Sequence, residues 1–272
     1  MPAISDPLVV HLVWAPLGVA PLERFLASYR AQPAGIPHRI AFIFKGFDSP
    51  AGAAAQVGLL EGLEHESFFY DRPTFDLPAY KAAGERLQAS HYCFLNSESV
   101  LLAPRWLGAL SAALARPGVG VAGATGSYET PSSMFPWRRR RWPRFPNPHV
   151  RTNAFMLSRE LLRSAPWPEV SSKAQAWELE SGVAGLTRHS WSQGLDTCVV
   201  GRDGSAHLPW EWPASATFRS GGQSNLLVAD NRTREWDEAT PSRRVALSRY
   251  AWGPDPAAAA AAVRGATARS PA

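Results

Sequence analysis

Residues 91–99 read His-Tyr-Cys-Phe-Leu-Asn-Ser-Glu-Ser, an apolar run that becomes polar within a single residue. The run His91–Leu95 predicts a buried strand, and helical spacing predicts a helix from Pro104 to about Ala115 after it. A strand followed by a helix is the repeating unit of parallel sheets. Ligands of such sheets bind beyond the carboxyl ends of the strands, so Asn96–Ser99 is where we expect a site.

The same alternation extends to both sides of this stretch. Apolar runs of strand length predict further buried strands at Leu8–Trp14, Arg39–Lys45, Ser67–Tyr70, Val119–Ala122, Asn153–Leu157 and Thr197–Val200. Helical spacing predicts helices over Leu77–Ala89 and Ala174–Gly194. Strands that alternate with helices predict an α/β protein with a mostly parallel central sheet.

Composition bounds the class of protein. The chain has 272 residues, 45% of them hydrophobic, which is enough for one domain with a sizeable core. Cys93 and Cys198 lie inside apolar runs, which excludes a disulfide scaffold and a cysteine zinc site. Leu8–Ala20 is the nearest approach to a membrane span, and it falls short of the ~18–20 apolar residues required. No basic segment precedes it, so we expect a cytoplasmic protein.

The basic charge admits several kinds of partner. A net charge of +5 suits nucleic acid, an anionic membrane surface or a phosphorylated substrate. The aperiodic segment Tyr128–His149 holds the block Arg138–Arg141 between Trp137 and Trp142, typical of a functional or mobile loop. The block suits peripheral contact with an anionic membrane, and it equally suits a solvated loop. No nucleic-acid module surrounds it, so nucleic acid is not expected.

Three clusters of polar residues are candidates for chemistry. Asn96, Ser97 and Glu98 leave a strand with an amide and a carboxylate two residues apart, a pattern that can share one hard cation with two phosphates. The alternative is a polar turn. His149, Arg151 and Asn153 precede a strand and suit phosphate or sugar hydroxyls, although such residues also serve structural roles.

The third cluster is the pair Glu178 and Glu180. A carboxylate at the start of a helix that faces a cleft can take a proton from an acceptor hydroxyl. Glutamate is also enriched at helix starts for electrostatic reasons alone. Because the two residues point to different faces of a helix, we expect at most one of them to enter a cleft.

Together these segments resemble the nucleotide-sugar glycosyltransferases of the GT-A fold, particularly inverting glycosyltransferase family 2. Phe94–Ser99 followed by Ala103–Leu107 resembles the strand of that family that ends in an Asp-x-Asp motif and the helix opened by Pro-x-Trp-Leu. Gly123–Ser127 stands where these enzymes lead into the acceptor side. Glu178–Arg188 is similar to the Glu-Asp helix that carries the catalytic base. The resemblance covers roughly residues 8–200.

The resemblance implies a Rossmann-like, three-layer α/β/α domain over residues 1–252. Its nucleotide-binding part is expected at about 8–127 and its acceptor and catalytic part at about 128–252, followed by an Ala- and Pro-rich, frayed tail at 253–272. The implied donor is a nucleoside-diphosphate sugar, with Mn²⁺ or Mg²⁺. The implied acceptor is a hydroxyl on a glycan, a lipid-linked molecule or a small molecule.

The resemblance also assigns roles to single residues. Asp48 and Asp76 are implied to contact the nucleotide, and Arg188 the phosphate or acceptor. Asn96 stands where the motif is normally acidic, which leaves Glu98 as the cation ligand. Glu180 or Glu178 is the implied base of a single displacement. Two other classes remain open: a nucleotide-sugar-binding protein that has lost catalysis, and a protein that binds anionic surfaces through its Arg block.

Overall fold

The computed structural model of the chain describes residue 4 and residues 6–72, 75–131, 140–167, 170 and 172–267. The strands are β1 (Leu8–Trp14), β2 (Arg39–Lys45), β3 (Glu66–Tyr70), β4 (His91–Leu95), β5 (Val100–Leu101), β6 (Val119–Gly123), β7 (Gly126–Ser127), β8 (His149–Val150), β9 (Ala154–Ser158), β10 (Asp196–Val200), β11 (Ala206–His207) and β12 (Val228–Ala229). The helices are α1 (Ala20–Ala31), α2 (Ala54–Gly58), α3 (Asp76–Arg86), α4 (Trp106–Leu114), α5 (Arg159–Ser164), α6 (Lys173–Ser181), α7 (Leu186–Ser192), α8 (Asn231–Asp237), α9 (Pro241–Trp252) and α10 (Pro256–Thr267).

The central sheet has the strand order β11-β10-β6-β9-β4-β1-β2-β3. The pairs β1–β2, β2–β3, β1–β4 and β6–β10 are parallel, whereas β9 runs antiparallel to both of its neighbours, β4 and β6. The predicted α/β class with a mostly parallel sheet is therefore confirmed. The start of β9 lies at the same edge of the sheet as the carboxyl ends of the parallel strands.

Side chains alternate between the two faces of the sheet and feed two apolar layers. Leu8 and Val10 of β1 pack in the layer that also holds Tyr80 of α3. Val9 packs in the opposite layer, with Trp106 of α4. Helices thus cover both faces, and the predicted three-layer α/β/α arrangement is confirmed. Both cysteines are buried and free, in agreement with the sequence analysis.

The helix predicted over Ala174–Gly194 is two helices, α6 and α7, so that prediction was wrong. Gly182 ends α6 in an extended conformation. A Cβ atom at this position would lie 2.4 Å from the carbonyl oxygen of Glu178, closer than real Cβ contacts come. The chain can therefore turn here only because residue 182 is glycine.

The segment after residue 252 contains α10, two of whose side chains, Ala259 and Val263, are buried. This helix packs against a short 3₁₀ segment, Pro209–Ala214. The division of the chain into parts at residues 127 and 252 stays a prediction. None of the helices in the described ranges is long and apolar enough to span a membrane.

The Arg block falls partly outside the described residues, which exclude Trp137, Arg138 and Arg139. Trp142, predicted to flank the block on a binding surface, is instead only 1% exposed. Because this ring belongs to the interior, it contributes no aromatic contact to a membrane or to nucleic acid.

Candidate active site

Two cavities of similar size are associated with the predicted site residues. The first, here called the strand-end cavity, has a volume of about 580 Å³. It is lined by residues at or just after the carboxyl ends of β1, β2 and β4, together with residues at the start of α3 and of α8: Trp14, Leu17, Lys45, Gly46, Arg72, Phe75, Asp76, Asn96, Ser97, Glu98 and Asn231. This is the edge at which parallel α/β sheets bind ligands.

One wall of the strand-end cavity is an aromatic ring beside an ion pair. Trp14, the last residue of β1, is 42% exposed, an unusual state for so large an apolar side chain. Lys45 Nζ lies 5.6 Å from the centre of that ring and 2.5 Å from Asp76 Oδ1. The cavity thus offers a flat apolar face, a buried ammonium group and a half-exposed carboxylate. Asp48, by contrast, is exposed and does not line it.

The polar turn after β4 is held by its own hydrogen bonds. Asn96 Oδ1 accepts from the backbone N–H of Glu98 at 3.1 Å and from Ser99 Oγ at 2.9 Å. The backbone N–H of Asn96 donates to the carbonyl oxygen of Asn153 at 2.8 Å, which ties the turn to the residue before β9. The amide oxygen predicted to help bind a cation is therefore occupied within the turn.

Glu98 lies between two guanidinium groups. Its Oε2 is 3.2 Å from Arg24 Nη2 of α1, and the same oxygen accepts a hydrogen bond from Arg234 Nη2 of α8. Arg234 also donates to the Glu98 carbonyl oxygen at 3.1 Å. Within the part of the chain that the structure describes, no group of three or more His, Cys, Asp or Glu side chains is placed to hold a metal ion. The donor set around Glu98 therefore does not fit the implied cation.

The second cavity, here called the arginine cavity, has a volume of about 600 Å³. Five cationic and three carboxylate side chains belong to its lining: Arg151, Lys173, Arg219, Arg232, Arg243, Glu129, Glu180 and Glu235. His149, Trp177 and Tyr250 line it as well. The balance of charge suits an anionic or strongly polar ligand.

Glu180 and Glu178 have different surroundings although only one residue separates them. Glu180 lines the arginine cavity, and its Oε1 accepts hydrogen bonds from the N–H and the Oγ1 of Thr152, each at 3.0 Å. Glu178 does not line it and lies 3.9 Å from Arg141 Nη1. The expectation that at most one of the two enters a cleft agrees with this arrangement, in which Glu180 is the one that faces a cavity.

Arg151 forms a buried ion pair with Asp230, whose side chain is fully buried. The two groups are 2.8 Å apart, and Asp230 also caps α8 by accepting from the N–H groups of Arg232 and Thr233. Burial alone would raise the pKa of Asp230, but the Arg151 guanidinium and these N–H donors outweigh it and lower the pKa. Arg151 is thereby fixed in the wall of the cavity, above the ring of Phe218 at 4.2 Å.

The other predicted residues fall in different places. His149 is buried, lines the arginine cavity and contacts the carbonyl oxygen of Asn147 through Nδ1 at 2.9 Å. Asn153 is bonded towards both regions: its carbonyl oxygen accepts from the turn after β4, and its Oδ1 accepts at 2.7 Å from Thr125 Oγ1, which in turn accepts from Arg151 Nη1 at 3.2 Å. Arg188 lines neither cavity and donates to Asn147 Oδ1 at 3.2 Å.

The sequence analysis missed residues of both sites: Trp14, Arg24 and Lys45 near the start of the chain, and Arg219, Asp230, Arg232, Arg234, Glu235 and Arg243 in its last third. A local signal was available for one of them. Asp230 stands three residues before Thr233, the pattern of a helix cap, and the structure contains that capping box. No local pattern predicts the roles of Arg219 and Arg234, because their partners Glu129 and Glu98 lie 90 and 136 residues away in the sequence.

No protein-family model matches the chain, and no curated protein matches it significantly. Solved structures similar to it include a mannosyltransferase from Pyrobaculum calidifontis in complex with GDP-Man and Mn²⁺, at 13% identity and a TM-score of 0.48, over 100% of this chain and 80% of that one. A glucosyl-3-phosphoglycerate synthase from Mycobacterium tuberculosis, in complex with Mn²⁺, UDP and glucosyl-3-phosphoglycerate, has 15% identity and a TM-score of 0.41 over 60% of each chain. At these identities and scores the likeness assigns no activity to this chain.

Proposed function

We propose that the chain is a glycosyltransferase that moves a sugar from a nucleoside-diphosphate sugar to a hydroxyl acceptor. The observation that carries the proposal is the position of Glu180. Its carboxylate lines the arginine cavity while Thr152, which holds it, stands next to Asn153, the residue bonded to the turn of the strand-end cavity. A proton acceptor in one cavity is thus connected through Thr152 and Asn153 to the turn that lines the other cavity.

In this proposal the strand-end cavity binds the donor. The exposed ring of Trp14 provides a flat surface on which a nucleobase stacks. Asp76 at the mouth, together with Lys45, offers an acceptor and donors for ribose hydroxyls. The sugar then points along the turn Asn96–Ser99 towards the neighbouring cavity.

The acceptor occupies the arginine cavity in the same proposal. One oxygen of Glu180 is oriented by the two bonds from Thr152, and its Oε2 accepts no hydrogen bond from the described residues, so it is available to an acceptor hydroxyl. As the acceptor oxygen bonds to the anomeric carbon, its proton passes to Glu180 and the bond from that carbon to the diphosphate breaks. A single displacement of this kind inverts the anomeric centre.

A protein that binds nucleotide sugars without turning them over is the second candidate. The observation that favours it is the engagement of Asn96 and Glu98 in internal contacts, since these two residues replace the motif that the resemblance implies. The two candidates share the donor site and differ only in turnover. They are therefore separated by the same experiment.

The deciding experiment is a thermal-shift panel of UDP-, GDP-, CMP- and dTDP-sugars, followed by a transfer and hydrolysis assay with any donor that binds. A ligand at 100 times its Kd stabilises the folded state by about 2.7 kcal/mol, which is readily measured. Binding together with release of the free nucleotide supports the transferase. Binding without release supports the second candidate, and no shift with any donor overturns both.

A further inference from the structure

The family resemblance implies that Glu98 binds the cation. The contacts of Glu98 indicate a different role. Arg24 and Arg234 approach this one carboxylate from two helices, α1 and α8, while the carboxylate is only 18% exposed. A metal ion bound at Glu98 would have to displace both guanidinium groups from this carboxylate. The displaced guanidinium groups would remain close to the cation and repel it.

The charge balance at this end of the strand-end cavity is already positive. One carboxylate, Glu98, faces two guanidinium groups, and the side chains of Arg24 and Arg234 are still 46% and 31% exposed. Arg72 lines the same cavity, and Lys45 is balanced by Asp76. Guanidinium groups carry five N–H donors in a planar fork, a geometry that fits phosphate oxygens.

We infer that this site binds a nucleoside diphosphate through arginine side chains without a divalent metal ion, with Glu98 as a positioning residue for Arg24 and Arg234. The inference rests on the proposed donor site and specifies how the diphosphate charge is balanced there. Arg24 and Arg234 do not line the cavity themselves; Glu98, which does line it, holds both beside it in the absence of ligand. Each guanidinium keeps donors that Glu98 does not use, and in this inference these donors reach the diphosphate when it binds next to Glu98.

Isothermal titration of UDP, GDP, CDP and dTDP into the full-length protein, in EDTA and then in Mn²⁺, tests the inference. The expected result is binding in EDTA whose Kd changes less than about twofold on addition of Mn²⁺. Binding that requires Mn²⁺ would overturn the inference while leaving the proposed donor site intact. No binding of any diphosphate in either buffer would overturn the proposed donor site itself.

Charge-neutral variants identify the residues. Arg234→Gln and Arg24→Gln are each expected to weaken diphosphate binding about 10- to 100-fold in EDTA, the usual loss for a charge-assisted hydrogen bond. Arg30→Gln, an exposed position on the same helix as Arg24, is the matched control and should bind as the parent does. Equal affinities for the Arg24, Arg30 and Arg234 variants would overturn the assignment, provided that their melting temperatures match.

Glu98→Gln separates the two roles of that residue. If Glu98 were a cation ligand, the variant would lose any stimulation of binding by Mn²⁺. With Glu98 as a positioning residue, there is no such stimulation to lose, and the variant still binds the diphosphate in EDTA. A parent protein stimulated by Mn²⁺ and a variant that is not would therefore overturn the inference directly.

A separate observation in the arginine cavity carries a second inference, about the acceptor. One carboxylate, Glu235, forms ion pairs with three guanidinium groups: those of Arg219 at 3.2 Å, Arg232 at 3.4 Å and Arg243 at 3.0 Å. Arg219 is buried and also forms an ion pair with Glu129 at 3.2 Å, an arrangement typical of a residue with a structural role. Arg232 and Arg243, in contrast, have side chains 54% and 58% exposed.

We infer that the arginine cavity binds an anionic group, a phosphate or a carboxylate, on the acceptor. Two largely exposed guanidinium groups that share one carboxylate keep most of their donors for a ligand. Lys173 adds a further positive charge, with its Nζ placed over the Trp177 ring at 5.1 Å. This inference also rests on the proposed function, because it specifies the acceptor of the same reaction.

Binding of glucose, glucose 6-phosphate and glucuronate to the protein tests this second inference. At least one of the two anionic sugars should bind about tenfold or more tightly than glucose, and saturating UDP should not displace it. Arg243→Gln should weaken that binding, whereas Arg249→Gln, exposed on the same helix, should not. Equal affinities for the three sugars, or binding that UDP abolishes, would overturn the inference without touching the donor site.

Discussion

The two cavities are built in opposite ways although consecutive residues of α8 line them, Asn231 the strand-end cavity and Arg232 the arginine cavity. The strand-end cavity is formed mainly by residues at or just after the carboxyl ends of β1, β2 and β4, and its charged lining residues are Arg72, Glu98 and the pair Lys45–Asp76. The arginine cavity is built by side chains from remote segments, with three guanidinium groups on Glu235 alone. The strand-end cavity therefore suits a nucleotide with a flat base, and the arginine cavity suits a ligand that carries an anionic group.

The variant with the largest expected effect is Glu180→Gln in the arginine cavity, which tests whether the two cavities have different roles. Loss of the general base should lower kcat by about 10²–10⁴-fold, while nucleotide binding in the other cavity stays unchanged. The measurement is the steady-state rate of sugar transfer together with the Kd of the nucleoside diphosphate.

Glu178→Gln is the matched control for that variant, since it lies on the same helix but faces Arg141 rather than the cavity. Its kcat should remain within about threefold of the parent, because it removes no proton acceptor from the site. A larger loss for Glu178→Gln than for Glu180→Gln would reverse the assignment of the base.

The second prediction concerns the buried charge that supports the arginine cavity. Asp230→Ala leaves Arg151 buried without its partner and removes the cap of α8, so the free energy of unfolding should fall by about 3–5 kcal/mol. Denaturant unfolding measures it. Glu66→Ala is the control: it breaks an ion pair with Arg39 whose side chains are about 40% exposed, and should cost less than about 1 kcal/mol.

The same pair predicts the direction of a pH effect. The folded protein holds the pKa of Asp230 below its usual value, so Asp230 is ionised and stabilising at neutral pH. That contribution is lost as the pH falls from the unfolded pKa, about 3.9, through the lowered folded pKa. Asp230→Ala should therefore unfold with a weaker dependence on pH in this acidic range than the parent does.

The third prediction isolates the strand-end cavity. Trp14→Ala removes the exposed ring proposed to stack with the nucleobase, and should weaken nucleoside diphosphate binding by about 1–3 kcal/mol. Trp177→Ala removes an exposed ring from the arginine cavity, and should leave that binding unchanged. Equal losses in the two variants would mean that the nucleotide spans both cavities.

The sequence predicts the strands that form the strand-end cavity better than it predicts the arginine cavity, and the reason is physical. The bounds of β1, β2 and β4 agree with the apolar runs, because buried parallel strands are continuous stretches bounded by polar or turn residues. The arginine cavity depends on tertiary pairs such as Arg219 with Glu129 and Arg151 with Asp230, which lie 90 and 79 residues apart. No local pattern encodes such pairs.

The last prediction concerns β1, the strand behind the strand-end cavity. His11 of β1 is fully buried, stacks on Phe25 at 3.9 Å, and both ring nitrogens are without partners in the described structure. Burial lowers its pKa to about 3. Between pH 6.5 and pH 3, His11 is protonated in the unfolded chain but not in the folded chain. The free energy of unfolding therefore falls by up to about 1.4 kcal/mol per pH unit in this range.

His11→Leu should remove this dependence and leave the stability at pH 7 equal or higher, because it replaces two unpaired buried nitrogens by a side chain of similar size. The measurement is the melting temperature of both proteins between pH 4 and pH 7. Parallel curves for the two proteins would show that His11 does not contribute to the acid sensitivity.

The antiparallel strand β9 also dictates an order of assembly. Strands β3, β2, β1 and β4 are mutual neighbours and all lie within the first 95 residues, so they can pair as soon as that segment leaves the ribosome. Among the described strands, β9 and β10 are the neighbours of β6, and β9 is complete only at Ser158. During synthesis β6 therefore has no native partner strand until β9 has been made. Insertion of β9 between β4 and β6 then joins two partial sheets into one.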